Sequence, residues 1–383
     1  MKKKDFLFVI FSFFIWRIVL FIIAYISTKI IPLQELLLGG KLVNYLKYPL
    51  FWGWANFDGE HYIAIAQNGF YGLAEQAFFP LYIILMKFFA EIINIGIVGF
   101  NLSGLLISNI SFLIGLVGFY KLLRVDYESK IAKICIILLL VFPTSFYFVS
   151  TYAEGLFFAL TIWAFYFARN NKWLFASILA MFASATKVMG ILLFPAFLFM
   201  ILKSIKFNLT KLNIKHFSIL LIPLGILFYM YYLYIRYNDP LLFIRSLPFF
   251  GEQRSAIPIL LPQVFYRYFF KIIPHINYSY FPNVYVTFLE LTVSLIFLGL
   301  SIISIWKLNI GYWMYLILGF LLSSISGSFS SLPRYVAVLF PAFILISLWL
   351  DKLPKVWKSM ILGILFVLLV ISQALFFRGY WVS

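Results

Sequence analysis

The chain is 383 residues long, 64% hydrophobic, 21% aromatic and only 11% charged, with a mean hydropathy of +1.01. No water-soluble domain has that composition, and a single Cys135 excludes a disulfide framework and a cysteine-rich metal site. The formal charge of +17 falls on short stretches between apolar runs. That distribution orients a membrane protein and is not the basic face of a nucleic-acid-binding domain, so no nucleic acid is expected as a partner.

Lys2, Lys3 and Lys4 lead into an apolar run over 6–31. The run is too long for the core of a signal peptide and lacks a small-residue cleavage site, so it reads as a retained span. Arg17 interrupts it and is expected to face the bundle interior. Residues 32–77 form a polar, aromatic external segment. The next run, 78–95, is short, and Lys87 and Glu91 fall on one helical stripe. It is expected to be an interfacial or re-entrant helix, because a crossing there would move the basic stretch 121–133 outside, against the positive-inside rule. Further spans are expected near 98–120, 134–150, 153–169, 173–186, 188–202, 217–237, 284–306, 311–326, 334–350 and 359–377. With the first, that makes about eleven crossings, an all-α polytopic bundle read as one domain over 1–383. The pair of short spans over 173–202 also reads as one kinked helix.

This arrangement gathers Lys2–Lys4, Lys121, Arg124, Lys130, Lys133, Arg169, Lys172, Lys203, Lys206, Lys211, Lys215, Lys307, Lys352, Lys355 and Lys358 on the inner side. The inner loops are too short to fold into a nucleotide-binding domain, and there is no Walker motif. The long loops are external: 32–97, which holds the candidate catalytic stretch, and 238–283. No internal repeat supports an inverted-repeat transporter.

The densest polar cluster of the first hundred residues is Asp58, Glu60 and His61, flanked by Trp52, Trp54, Phe57 and Tyr62. A carboxylate hemmed by aromatic rings at the outer surface can act as general base toward a sugar hydroxyl, and partial desolvation is expected to raise its pKa. The bland alternative is a solvated loop anchored at the interface by its Trp and Tyr residues. That accounts for the rings but not for Asp-x-Glu-His. The three residues also offer atoms to a divalent metal, but neighbours in sequence rarely close a site alone, so no cofactor is expected.

Glu154 opens a span on the same side, where a helix N-terminus favours a carboxylate, and a simple cap is the competing reading. Lys187 stands at an external turn, to meet a phosphate or to snorkel to headgroups. Arg334 follows the Ser/Gly-rich stretch 326–331 near the start of a span, a plausible anion site or a flexible turn. The loop 238–283 carries Arg245, Glu252, Arg254, Arg267 and Lys271, an outer excess of base that hints at an anionic ligand. Glu290 lies within a span with no evident partner, and His216 and His275 read as loop residues.

These stretches together resemble the PIG-V-like mannosyltransferases of the GT-C superfamily. The pieces are Phe57-Asp58-Gly59-Glu60-His61-Tyr62 with Ile65, Ala66, Gly69 and Phe70; then Phe79-Pro80-Leu81-Tyr82; Phe142-Pro143; Tyr152-Ala153-Glu154-Gly155-Leu156-Phe157; Ala185-Thr186-Lys187 with Gly190; and Arg334-Tyr335 with Phe340-Pro341. They occur in the family's order over 50–345. The family usually has Trp where Phe57 stands, and many members have Arg where Lys187 stands. The resemblance implies a GT-C fold with short helices in the first external loop, and a catalytic acid at Asp58 with the Tyr-x-Glu at Tyr152 and Glu154. It also implies a polyprenyl- or dolichyl-phosphate sugar donor, used on the non-cytoplasmic face.

The expected reaction is a one-step inverting transfer, with mannose resting on the resemblance alone. Asp58 takes the proton of the attacking hydroxyl; Arg334, Lys187 or Arg254 holds the leaving phosphate; Glu60, His61, Tyr62, Tyr152, Glu154 and Tyr335 contact substrate. The acceptor is a glycan, a glycolipid or a protein. A flippase for a lipid-linked sugar and a non-catalytic subunit of a membrane complex are the alternatives. The Ile-, Lys- and Phe-rich composition points to the plasma membrane of a prokaryote, or the endoplasmic reticulum membrane in a eukaryote.

Overall fold

An apolar run in hydrocarbon must satisfy its backbone groups internally, which a helix does and a lone strand does not. The computed structural model obeys this: the chain is helices and short connections, with no strand among the described residues. It describes residues 1–72, 74–251 and 254–382, so Glu252 lies outside the described residues.

The chain begins with α1 (Lys3–Ile30). A folded connection follows, made of α2 (Lys41–Lys47), α3 (Pro49–Trp52) and α4 (Asp58–Asn68). Next come α5 (Pro80–Ile93), α6 (Ile97–Asp126), α7 (Ser129–Leu140), α8 (Glu154–Arg169), α9 (Trp173–Thr186), α10 (Leu193–Ser204) and α11 (Leu224–Tyr237). The second long connection holds α12 (Leu242–Arg245) and α13 (Leu261–Arg267). The last elements are α14 (Phe281–Lys307), α15 (Ile310–Ser324), α16 (Leu332–Ala337), α17 (Phe340–Lys352) and α18 (Lys355–Phe377). Among the described residues, five helical segments are long and apolar enough to cross a membrane: α1, α6, 214–237, α14 and α18.

Every expected span coincides with helical chain, but several are broken. The run 134–150 stops at Leu140, and a 3-10 turn over Ser145–Val149 follows Pro143. The run 334–350 divides into α16, which ends at Ala337, and α17, which begins at Phe340 with Pro341 in its first turn. Proline has no amide hydrogen to give and clashes with the preceding turn, so the breaks follow from the sequence. The 173–202 pair is a hairpin: α9 turns back through a 3-10 stretch at Val188–Leu192 into α10. At Gly190 in this turn a Cβ would run into the backbone of Ala183 and Ser184, so only glycine lets the hairpin close. At Gly155 a Cβ would press on the carbonyls of Phe148 and Ser108, so glycine lets the start of α8 seat against α6.

The run 78–95 forms α5, 14 residues. At 1.5 Å per residue that is about 21 Å, short of the roughly 30 Å hydrocarbon core. It doubles back on α6: Tyr82 Oη donates to the Gly104 carbonyl at 3.0 Å and lies 2.9 Å from Ser108 Oγ. Ile84, Phe88 and Ile92 face outward along one stripe, so α5 is a short arm folded back on α6 with an apolar outer face.

The two ends of the bundle differ in charge. At one, Asp5 meets Lys133 at 3.0 Å, Asp351 meets Lys130 at 2.7 Å and Lys358 at 3.7 Å, and Asp126 pairs with Arg169. This is the end the sequence assigns to the inner side. Between the ends, Arg17 does turn inward: its Nε donates to Asn109 Oδ1 at 2.9 Å, and its guanidinium lies 4.0 Å over the Trp54 ring. Glu290 has a partner after all, accepting from Tyr268 Oη at 2.6 Å. The opposite end carries α4, α5, the 238–283 connection and the site described next.

Candidate active site

Asp58 is aimed by an unusual turn. The Gly59 amide donates to the Asn56 carbonyl at 3.3 Å, and between them Phe57 has φ 58°, ψ −116°. This is the first inner position of a type II′ turn, where glycine is the usual occupant. A bulky residue there stores about 1–3 kcal/mol of strain and persists only where its surroundings over-determine it. They do so here. The Phe57 amide donates to the Leu37 carbonyl at 2.7 Å. Tyr152 Oη donates to the Asn56 carbonyl at 2.7 Å, and the Gly39 amide donates to Asn56 Oδ1 at 2.9 Å. Asp58 emerges as the first residue of α4.

Three other chain segments bring charge to it. Arg334 Nη1 donates to Asp58 Oδ2 at 2.6 Å. Glu154, in the first turn of α8, accepts from Lys187 Nζ at 2.6 Å and has the same oxygen, Oε1, 3.6 Å from Arg334 Nε. Lys187 sits at the C-terminal cap of α9. The four residues thus form one alternating string, Asp58–Arg334–Glu154–Lys187, with Glu154 2% and Arg334 4% exposed. The rings of Tyr147, Tyr152 and Tyr335 surround the guanidinium at 5.0–5.4 Å.

Burial by itself would raise the Asp58 pKa. The Arg334 guanidinium, with help from His61 and Arg254, reverses this and holds it below the ordinary carboxylate value. The expected rise is therefore corrected: the nearby cations outweigh desolvation, and Asp58 stays ionised.

A cavity of about 290 Å³ opens beside the string. Asp58, Glu154, Lys187, Arg334 and Arg254 mark its polar part; Tyr62 and Tyr335 line it as well. The rest of the wall is mostly apolar, with Phe78, Val188, Met189, Phe243, Leu247 and Phe250 prominent beside a few hydroxyl residues such as Ser255 and Ser323. Part of that wall comes from the 238–283 connection, which folds back over the site. It is tied to the turn before α16 by Ser255 N to Ser326 O and Ile259 N to Ile325 O, both at 2.8 Å. Arg254 Nη2 donates to Ser331 Oγ at 2.8 Å. Among the described residues it has no carboxylate partner, whereas Lys187 and Arg334 each have one.

Seven of the expected residues therefore meet: Asp58, Tyr62, Glu154, Lys187, Arg254, Arg334 and Tyr335. Three do not line the cavity. Glu60 Oε2 accepts from the Gly40 amide at 2.7 Å and so secures the start of α2. His61 packs between the rings of Phe78, at 5.4 Å, and Phe250, at 6.3 Å. Tyr152 holds the Asn56 carbonyl. One helical step is about 100°, so residues two and three beyond Asp58 project from other faces of α4. Lys187 and Arg334 each have a carboxylate partner in this structure.

Of the second long connection, sequence reasoning picked out Arg254 but missed the apolar wall of Phe243, Ile244, Leu247 and Phe250, and it missed the role of Phe57. Only Phe57 left a local trace, an aromatic directly before the lone aspartate.

No protein-family model matches the sequence, and no curated protein matches it. Solved structures do. ArnT from Cupriavidus metallidurans bound to undecaprenyl phosphate superposes with a TM-score of 0.55 at 17% identity over 91% of this chain. The same protein in the apo state gives 0.50 at 17% identity over 91%. The match spans 62% and 61% of the ArnT chain, so this chain covers less than two thirds of its neighbour's length. The likeness is one of fold, and it does not support the PIG-V-like family in particular. The protein has an all-α, polytopic membrane fold similar to that of ArnT.

Proposed function

We propose that the protein is a membrane glycosyltransferase that moves a sugar from a polyprenyl-phosphate donor to an acceptor hydroxyl, with Asp58 as general base. The observation that carries this reading is an ionised carboxylate, fixed by an arginine, in the polar part of a mostly apolar cavity. The wall suits an isoprenoid chain. Among the described residues the polar part holds three cations against two carboxylates, a balance that suits the single negative charge of a phosphodiester. The fold neighbour ArnT, bound to undecaprenyl phosphate, supports a lipid of that class.

In the proposed step the acceptor oxygen attacks the anomeric carbon from the face opposite the phosphate. The bond from that carbon to the phosphate oxygen breaks, configuration inverts, and the acceptor proton passes to Asp58. Oδ2 of Asp58 is occupied by Arg334, which leaves Oδ1 for the hydroxyl. A carboxylate with a lowered pKa is a weak base toward an alcohol at rest. The proton therefore moves late, once the forming bond has made the hydroxyl strongly acidic. The leaving monoester gains charge, which Arg254 and Lys187 stabilise. Oε2 of Glu154 is buried and without a protein hydrogen bond, and it accepts from a sugar hydroxyl in this scheme. No metal enters it: Asp58 is already paired with Arg334 and Glu60 is turned to Gly40. Mannose follows from the sequence resemblance, and the outer face of a prokaryotic plasma membrane from the charge distribution and composition.

The test is the purified protein in liposomes with a polyprenyl-phosphate sugar and a candidate acceptor alcohol. The reading expects free polyprenyl phosphate and glycosylated acceptor in equal amounts. Donor that crosses the bilayer with no lipid phosphate released would replace the enzyme with a carrier.

A further inference from the structure

The turn that aims Asp58 is held from a distant part of the chain. After α18 the backbone reverses at Gly379, with φ +78°, where a Cβ would strike the Gln34 carbonyl. The reversal is pinned by Gln34 N to Arg378 O at 2.9 Å and Arg378 Nε to Ile31 O at 2.8 Å. It returns the last described residues beneath the turn. The Trp381 ring stands edge-on to Phe57 at 5.0 Å and 84°, and Phe376 touches the same ring at 5.8 Å. Asn56 Nδ2 donates to the carbonyls of Phe376, at 2.9 Å, and Phe377, at 3.3 Å. Tyr147 Oη donates to the Val382 carbonyl, fixing the far end of the segment. Tyr147 is also one of the rings around Arg334. Both members of the Asp58–Arg334 pair are thus braced by one seven-residue stretch, 376–382, that lines no part of the cavity.

We propose that Trp381 and Phe57 are positioning residues for the transfer: the segment 376–382 clamps the strained turn and thereby fixes the aim of Asp58 at Arg334 and at the acceptor hydroxyl. The proposal rests on Asp58 being the base. Ring-to-ring packing is a suitable clamp because an unsupported Phe57 would relax out of its positive φ, and Asp58 is the next residue. An error of about 1 Å in a reacting group lowers turnover by about a hundredfold. The charged and titratable groups that face Asp58 are Arg334, Arg254, His61 and Glu154 with Lys187 beyond it, and the tyrosines 62, 147, 152 and 335. A swing of Asp58 away from Arg334 therefore weakens the cation that keeps it ionised.

The experiment compares Trp381→Ala and Trp381→Phe in liposomes, with Asp58→Asn alongside. The proposal expects Trp381→Ala to bind donor with an unchanged KM while kcat falls about ten- to a hundredfold. The acid limb of its pH profile should move up toward the ordinary carboxylate range, and Trp381→Phe should restore most of both. Wild-type kcat and acid limb in folded Trp381→Ala overturn the proposal, as does a loss that appears only in KM or that Trp381→Phe does not rescue. Should Trp381→Ala fail to fold, Tyr147→Phe releases the Val382 carbonyl alone, and the same shift in kcat and acid limb decides. An active Asp58→Asn would instead sink the base assignment. An inactive Asp58→Asn with a normal Trp381→Ala removes only the clamp.

Discussion

At the basic end of the bundle Lys130 lies 2.7 Å from Asp351 with 64% of its side chain exposed. At the other end Arg334 lies 2.6 Å from Asp58 with 4% exposed. The distances match, yet the physics differs. In water a lysine–aspartate pair contributes about 0–1 kcal/mol, because solvent and salt screen it and two mobile side chains must be ordered. Out of water each charge carries a desolvation cost that only a partner offsets, so the pair becomes indivisible. The exposed pairs, screened by water, are expected to tolerate change. The buried string fixes geometry, and each member depends on the next.

The largest effect is expected from Arg334→Met, which leaves Asp58 without its buried partner while Glu154 keeps Lys187. Thermal unfolding in detergent should show a loss of about 3–5 kcal/mol, the usual result of stripping one partner from a buried pair, with turnover abolished. Adding Asp58→Asn to it should return part of that stability, because the unpaired charge is the source of the loss. Additive destabilisation would mean the string is not coupled.

Arg254→Ala removes the cation that has no carboxylate partner among the described residues. Loss of a hydrogen bond to a charged phosphate should lower kcat/KM for the donor about ten- to a hundredfold, with melting temperature nearly unchanged. A large melting shift without a kinetic one would give Arg254 a structural role instead.

The pH profile separates the two opposing influences on Asp58. Its pKa is lowered in the folded protein, so the stability and activity it supplies are fully present above the unfolded value, about 3.9. They are lost only as pH falls through the folded value. Turnover should therefore stay level from neutrality down to about pH 4. An acid limb near pH 5–6 would show burial winning over Arg334. Smallest of all should be Lys130→Ala: less than about 1 kcal/mol by thermal unfolding, and further reduced by salt.

Hydropathy located the helices well because water exclusion acts on each apolar run locally; the span expected at 173–186 is α9, Trp173–Thr186. The breaks at Leu140 and Val338 were marked only by nearby prolines, since apolar composition is blind to a change in backbone dihedrals. In the site, Asp58, Glu154, Lys187 and Arg334 stood out as scarce charges. Their pairing did not, because the bond from Arg334 to Asp58 joins residues 276 positions apart. Glu60 and His61 were assigned by nearness in sequence, yet they project from other faces of α4. The clamp on Phe57 was invisible for the same reason as the charge string: Trp381 reaches it only after the whole bundle has folded.

The measurement that bears most directly on this account is the turnover of folded Asp58→Asn, read as polyprenyl phosphate released from a polyprenyl-phosphate sugar at saturating donor and acceptor. The substitution keeps the shape of the side chain and removes its ability to take a proton. The expected result is a kcat lower by about a hundred- to ten-thousandfold with donor binding retained. Turnover at the wild-type rate in that variant would contradict the assignment of Asp58 as the base.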